Sequence, residues 1–279
     1  MAIALVQSVK KVVTGATGST TLAYGSNVTA ANLLCVSQAH WQDTDEVITT
    51  PIDTLTHTYV GMVAEQNLGA GASFNSLRSF YVANCSGGAN TVTFDSVGAE
   101  QTDITVVIAE FSGALTASPL GVTSSGTGTG TAVSSGTTAT LDQATGMLWG
   151  AMMHAGSDTT IAETGGATIV QENEGGTSNM PIGVSYELTT AGTAQAATWT
   201  LGASNNWAAH VAFFKAAGDP PALPGNGGGG FDDRVRVENS VFVGNGTGAG
   251  ARTFRSRWPN STRDLKWDDQ RADNRSRML

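Results

Sequence analysis

The run ITVVIAEF at residues 104–111 decides the fold class, because it is almost continuously apolar and rich in β-branched residues. A second run, AAHVAFF at residues 208–214, has the same character. Runs of this length and composition are typical of β-strands that are covered on one face and partly covered on the other. Between them, NTVTF at residues 90–94 alternates polar and apolar residues, as a half-buried strand does.

Working outward from these runs, the whole chain up to about residue 216 is predicted to form short strands. The clearest are Leu33–Trp41, Thr58–Glu65, Arg78–Asn84, Asn90–Phe94, Thr102–Phe111, Ala139–Leu141, Gly146–His154, Ile182–Leu188, Ala196–Leu201 and Trp207–Lys215. Turn signals separate them at residues 24–27, 86–90, 112–114 and 174–176. Only Glu65–Leu77 could hold a short helix. The sequence therefore predicts an all-β fold, an antiparallel β-sandwich of jelly-roll-like type.

The composition agrees with this prediction. Charged residues make up only 13% of the chain, and its 35 glycines suit tight turns better than helices. No stretch of eighteen apolar residues occurs, so we expect no membrane span. The N-terminal segment MAIALVQSVKKVV lacks a basic region before its apolar part and a cleavage site after it, and we predict a first strand there rather than a signal peptide.

Two features of the body have alternative interpretations. Cys35 and Cys85 lie in or beside strand-like runs, where buried free thiols are common, and a disulfide between them stays open. The Gly/Ser/Thr stretch at residues 123–140 contains GTGTG, which could suggest a phosphate-binding loop. That loop needs a helix after it, and nothing helical follows, so we predict a solvated loop or a polar edge strand.

The composition changes after residue 217, and we predict three parts. Residues 1–217 form the β-sandwich domain, residues 218–230 a Pro/Gly linker, and residues 231–279 an Arg-rich extended arm. Ten of the fourteen Lys and Arg residues lie in the arm, against seven acidic residues. Residues 1–230 hold the other four basic residues against sixteen acidic ones, so an acidic body precedes a basic arm.

The arm is predicted to dock on protein partners. Two alternating segments, at residues 235–243 and 251–258, could form a hairpin, but so little apolar content cannot offset the arm's ordering entropy without a partner. Interleaved Arg and Trp can bind single-stranded nucleic acid, yet the acidic residues and a pI near 4.8 argue against it. Arginine and aromatic anchors are also typical of protein interfaces. The predicted contact residues are Phe231, Arg234, Arg236, Phe242, Arg252, Phe254, Arg255, Arg257, Trp258, Arg263, Trp267 and Arg271.

No pattern in the sequence selects a catalytic or metal site, and we expect no enzyme activity and no cofactor. His40, His154 and His210 lie in strand-like runs and lack the spacing of zinc ligands. The acidic segments at residues 43–46 and 172–174 could hold calcium, but they lack the glycine and the terminal glutamate of the known loop, so we predict solvated loops. Four of the six tryptophans lie in strand-like segments and are expected in the core.

Four phrases carry a resemblance to a known kind of protein: LAYGSNVTAANLL at residues 22–34, FYVAN at 80–84, GGANTVTF at 87–94 and AEFSG at 109–113. Together they resemble a β-sandwich module of tailed-bacteriophage virion proteins and of some bacterial secreted proteins. The resemblance covers roughly residues 5–215. It implies a jelly-roll-like fold and a virion or cell-surface setting. It assigns no functional residue and does not extend to the arm.

From these observations we expect a non-enzymatic viral structural protein. It would be a capsid decoration or cement protein, assembled in the host cytoplasm and located in the virion. Its partners would be the major capsid protein or other virion subunits and further copies of itself, as a homo-oligomer for which we guess a trimer, without nucleic acid or membrane. The alternative is a glycan-binding module of a phage tail fibre, a spike or a secreted adhesin.

Overall fold

The computed structural model describes residues 2–16, 19–42, 47–68, 74–95, 102–156, 160–173 and 180–218. These residues form strands and no helix. The strands are β1 (Ala4–Ala16), β2 (Thr20–Ala23), β3 (Leu33–Gln42), β4 (Ile52–Asp53), β5 (Val60–Gly61), β6 (Gln66–Leu68), β7 (Phe74–Val82), β8 (Thr91–Phe94), β9 (Thr102–Ser112), β10 (Leu120–Ser134), β11 (Gly146–His154), β12 (Ile161–Glu163), β13 (Thr168–Asn173), β14 (Ile182–Thr189) and β15 (Thr198–Lys215).

Every strand pairing is antiparallel, which confirms the predicted fold class. One large sheet has the order β1-β9-β3-β7-β5, with β6 also paired to β7. The other has the order β10-β15-β11-β14-β13, with β12 paired to β15. A third, small sheet has the order β2-β8-β4. Within the body, the first and third sheets come from one half, residues 4–112, and the second comes from the other half, residues 120–215.

The two halves have the same topology, and we call them the first repeat (residues 2–114) and the second repeat (residues 115–218). Strands β1, β9, β3 and β7 occupy the positions that β10, β15, β11 and β14 occupy in the second repeat. The small sheet also has a counterpart, because the end of β10 pairs with the start of β15, and β12 pairs with that same start. Each repeat therefore has the strand order of a jelly roll with one exception. The last strand of each large sheet, β5 beside β7 and β13 beside β14, would belong to the opposite sheet in a standard jelly roll.

Strand register shows how closely the repeats correspond. If Cys35 on β3 is matched with Trp149 on β11, the pairings place Tyr81 opposite Cys35 and Tyr186 opposite Trp149. The Tyr81 ring meets the Phe214 ring edge to face at 5.3 Å, and the Phe111 ring meets the Tyr186 ring in the same way at 5.3 Å. In this match Phe111 is equivalent to Phe214 and Tyr81 to Tyr186, so exchanging the two repeats turns one contact into the other. An approximate two-fold axis therefore relates the two repeats.

Three apolar cores follow from this arrangement. The largest lies between the two large sheets and includes Phe111, Trp149 and Phe214. A second core lies between the first large sheet and the small sheet, around Phe80 and Phe94. The third lies inside the second repeat. Each repeat thus has a core of its own, and the repeats share the central one.

The Gly/Ser/Thr stretch is an ordered edge strand, β10, over residues 120–134, so the polar edge strand is confirmed there and a loop follows. A Cβ at Gly128 would lie 2.5 Å from the Trp207 ring, so glycine is needed where that ring covers the strand. The exposed positions are Ser and Thr, together with Ala132. The strand folds back at Gly130, whose φ of +140° suits glycine. No helix follows the stretch among the described residues, which removes the phosphate-loop interpretation.

Several local predictions were wrong. The region Glu65–Leu77 contains β6 and the start of β7 in place of a helix, because both segments pair as strands. Ala139–Leu141 forms no strand, and Thr58–Glu65 contributes only the two residues of β5. The predicted strands Ala196–Leu201 and Trp207–Lys215 are parts of one bent strand, β15. Most of the other predicted strands agree with the structure to within a few residues.

Candidate functional site

The predicted contact residues of the arm, from Phe231 to Arg271, lie outside the described residues. The boundaries of the linker and arm, and the docking role of the arm, therefore stay predictions. Asp43, Asp45, Glu46 and Glu174 of the two acidic segments also lie outside this part. What the structure does describe is the body that precedes this segment.

All four basic side chains of residues 1–230 are held within the body itself. Lys10 Nζ donates to the backbone oxygen of Glu172, Lys11 Nζ to that of Thr21 at 2.9 Å, and Arg78 Nη1 to that of Ile48 at 2.7 Å, while Lys215 Nζ lies 3.6 Å from Asp142 Oδ2. Because the same residues carry sixteen carboxylates, the body presents negative charge that its own cations do not neutralise. A basic partner surface would be attracted to it.

A polar cluster around Asp53 is the most elaborate arrangement of reactive side chains in the described part. Asp53 Oδ2 accepts hydrogen bonds from His57 Nδ1 at 2.7 Å, from Tyr59 OH at 2.9 Å and from Asn90 Nδ2 at 2.9 Å. Its Oδ1 accepts from the backbone N–H groups of Leu55 and His57. Burial alone would raise the pKa of Asp53, but these hydrogen bonds lower it below its usual value.

The Asp53–His57 pair has the geometry in which a carboxylate orients a histidine base. The other ring nitrogen, Nε2, accepts a hydrogen bond from the backbone N–H of Ser86 at 2.8 Å. That nitrogen is therefore already occupied and cannot take a proton from a nucleophile while the bond persists. The cluster fastens the turn after β4 to the loop before β8, which is a structural role.

Replacing Asp53 with alanine is expected to lower the free energy of unfolding by about 2–4 kcal/mol, because several buried donors would lose their acceptor. Chemical denaturation of the purified protein measures this. Asp95→Ala is the matched control, since Asp95 is an exposed aspartate just beyond β8 and should change stability by less than about 0.5 kcal/mol. Equal effects of the two substitutions would contradict the structural role.

Glu110 is a second buried carboxylate with a structural environment. Its Oε1 accepts from the Thr29 backbone N–H at 2.7 Å and from Asn32 Nδ2 at 2.6 Å. Its Oε2 accepts from Gln7 Nε2 at 2.6 Å. These bonds join β9 to β1 and to the loop before β3. This cluster was not predicted from the sequence, because its members lie far apart along the chain.

The three histidines in the strands, His40, His154 and His210, are buried. Burial lowers the pKa of His40 and of His210 to about 3, and that of His154 to about 4. They are therefore uncharged at neutral pH. Among the described residues, no group of three or more His, Cys, Asp or Glu side chains could hold a metal ion.

The thiols and the indoles of the body are also buried. Cys35 and Cys85 are both free. Burial raises the pKa of Cys85 to about 11, and it raises that of Cys35 as well, so neither thiol forms a reactive thiolate readily. Trp149, Trp199 and Trp207 are at most 9% exposed, and Trp41 packs against the central core. The core location predicted for these tryptophans is confirmed.

A cleft of about 310 Å³ lies between the start of the first repeat and the second repeat. Its walls are largely apolar and include Ile3 and Leu188, of which Leu188 is 48% exposed. Residues 216–218, the last ones described, also line it. The cleft lacks the convergent polar groups that a small-molecule site normally shows.

Comparison with protein-family models, with curated proteins and with solved structures finds no match for this chain. The described residues contain no helix with the length and apolar character needed to cross a membrane. The fold and the clusters thus define the class, an all-β protein with antiparallel sheets packed as sandwiches. A function has to be argued from the chain's own chemistry.

Proposed function

We propose that this protein is a non-enzymatic structural protein of a virion, of the capsid decoration or cement type. The observation that carries the proposal is the separation of charge along the chain. The four basic residues of residues 1–230 are all engaged within the body, whereas the arm supplies ten more. The arm of one copy can therefore be attracted to the acidic body of another copy or to an acidic capsid subunit.

Two further features support the proposal. The polar clusters around Asp53 and Glu110 fasten loops to strands, which suits a body used for display or reinforcement. The body also has an extensive shared core, as a protein that must withstand mechanical load on a particle requires. The resemblance of the body to virion modules agrees with both features.

The proposal is tested by comparing the full chain with a truncated protein that ends at Ala217. Particles lacking the protein are mixed with each version and pelleted, and light scattering reports the oligomeric state of each version alone. The full chain is expected to bind the particles and to self-associate, and the truncated protein to lose both properties. A truncated protein that binds the particles as well as the full chain would overturn the proposal.

A charge test within the arm separates electrostatic docking from a general need for the arm. Changing Arg252, Arg255 and Arg257 to glutamate is expected to reduce binding at least tenfold, and the remaining binding should depend less on salt. Changing Asp268 and Asp269 to asparagine is the matched control, because it makes the arm more basic and should preserve binding or strengthen it. Equal weakening by the two variants would argue against charge attraction.

A further inference from the structure

A chain of buried hydrogen bonds crosses the interface between the two repeats. Trp149 Nε1 donates to Ser37 Oγ at 3.0 Å, and Ser37 Oγ lies 2.6 Å from Ser79 Oγ. Ser79 Oγ lies 2.7 Å from His210 Nε2, and His210 Nδ1 lies 3.4 Å from Gln66 Oε1. None of these five residues is more than 8% exposed. Trp149 and His210 belong to the second repeat and the other three to the first.

The ends of this chain fix the direction of every bond in it. The indole N–H of Trp149 can only donate, and the Gln66 amide oxygen can only accept. A neutral His210 therefore carries its single ring proton on Nδ1 and donates it to Gln66, so that its Nε2 accepts from Ser79. Ser79 has then used its only proton, and Ser37 donates to Ser79. Each hydroxyl donates once and accepts once, so the chain is satisfied only while His210 is neutral.

A second proton on His210 would break this pattern. A protonated Nε2 would face the Ser79 hydroxyl as a donor, so Ser79 would have to turn and donate to Ser37. Ser37 would then receive two donors, and its own hydrogen would lose its acceptor. A buried donor without a partner and a buried charge without a counter-ion are both costly.

Within the described part of the chain, no side chain opposite His210 would compensate the added charge. Its partners in strand register are Ser125 on β10 and Ala151 on β11, which carry no charge. Gln66 on β6 and Ser79 on β7 are neutral as well. Glu65 and Arg78 precede Gln66 and Ser79 directly in the chain, so their side chains point to the other face of the sheet.

We propose that the chain from Trp149 to Gln66 is an acid-sensitive latch between the two repeats, which opens when His210 is protonated while each repeat keeps its own core. The low pKa of His210, about 3, agrees with a site that resists the proton as long as the repeats are joined. The inference rests on the described body alone and does not depend on the proposed function.

The proton position is tested first, on the intact full chain. Nitrogen NMR of the histidine rings at neutral pH is expected to show His210 with its proton on Nδ1, a proportion that Ser79→Ala should reduce. A proton found on Nε2 would overturn the direction of the chain and the proposal with it.

The latch itself is tested on the full chain after a protease site is inserted at residues 116–118, which are exposed and connect the repeats. In denaturant at a concentration where the cut protein begins to separate, the association constant of the repeats is expected to fall about tenfold per pH unit below about pH 6.5. His210→Gln should reduce by one the number of protons that are bound when the repeats separate.

His40→Gln is the matched control, because His40 is equally buried but faces the inner core of the first repeat and should stay buried after separation. It is expected to leave the pH dependence of association unchanged. The same dependence in His210→Gln as in the unmodified protein would overturn the proposal. So would two repeats that unfold together instead of separating, because a latch must open before either core does.

Discussion

Phe214→Ala is expected to lower the free energy of unfolding by about 3–5 kcal/mol, the usual cost of removing a fully buried aromatic ring. Phe214 is 0% exposed and lies in the central core between the repeats. Its ring also meets Tyr81 edge to face, a contact that contributes about 0.5–1.5 kcal/mol beyond the area it buries. Chemical denaturation with an unchanged denaturant dependence is the measurement that checks this.

The approximate two-fold axis makes the prediction sharper. Phe111 occupies the equivalent position in the first repeat and meets Tyr186, and it also contacts the Trp149 ring at 5.8 Å. Phe111→Ala should therefore cost at least as much as Phe214→Ala. Val6→Ala is the control, because Val6 is 48% exposed and should change stability by less than about 0.5 kcal/mol. A large loss in one phenylalanine variant and a small loss in the other would contradict the symmetric packing.

The long strands were predicted well because their apolar composition indicates that they are buried. The run at residues 104–111 is apolar on both faces since β9 lies between two cores, and β11 is buried along its whole length for the same reason. Strands of two to four residues, such as β4, β5 and β12, carry no such pattern. These short strands form because a longer neighbouring strand has backbone N–H and C=O groups that need partners. Which strand is the neighbour depends on the tertiary fold.

The internal repeat was not detected in the sequence, because equivalent strand positions in the two repeats often carry different residues. His40 and His154 correspond, as do Tyr81 and Tyr186, but Cys35 corresponds to Trp149. Packing constrains the volume and polarity of such positions more than the identity of their residues. The repeat becomes visible only when strand register is known.

The candidate sites divide in a similar way. The arm was predicted from composition, which is a property of a continuous segment. The Asp53 cluster joins Asp53 to Asn90 directly and to Ser86 through His57. Glu110 on β9 likewise accepts a hydrogen bond from Gln7 on β1. No local sequence pattern brings these residues together, so neither cluster was predicted from the sequence.

Stability is expected to fall steeply between about pH 6.5 and pH 4, because two fully buried histidines stay neutral in the folded protein. The folded-state pKa of His40 and of His210 is about 3, whereas an unfolded histidine has a pKa of about 6.5. Above about pH 6.5 both states are neutral and these residues add no pH dependence. Below it the unfolded state binds two protons that the folded state does not, and each costs about 1.4 kcal/mol per pH unit.

At about pH 5 the two histidines together should therefore lower the free energy of unfolding by about 4 kcal/mol, a large share of the stability of an ordinary domain. His154 acts in the same direction. Asp53 acts in a lower range, because its depressed pKa protects stability until the pH falls below the usual value of a carboxyl group. The histidine effect can thus be measured above the pH range in which Asp53 titrates.

Urea denaturation at several pH values between about 7 and 5 measures the effect. The double variant His40→Gln/His210→Gln should take up two fewer protons on unfolding than the unmodified protein, and each single variant should take up one fewer. The variants are expected to be less stable than the unmodified protein at neutral pH, where glutamine fits the sites less well, and to approach its stability as the pH falls. If the double variant keeps the full pH dependence, the two histidines are not held neutral in the folded protein. The acid response must then come from the carboxylates.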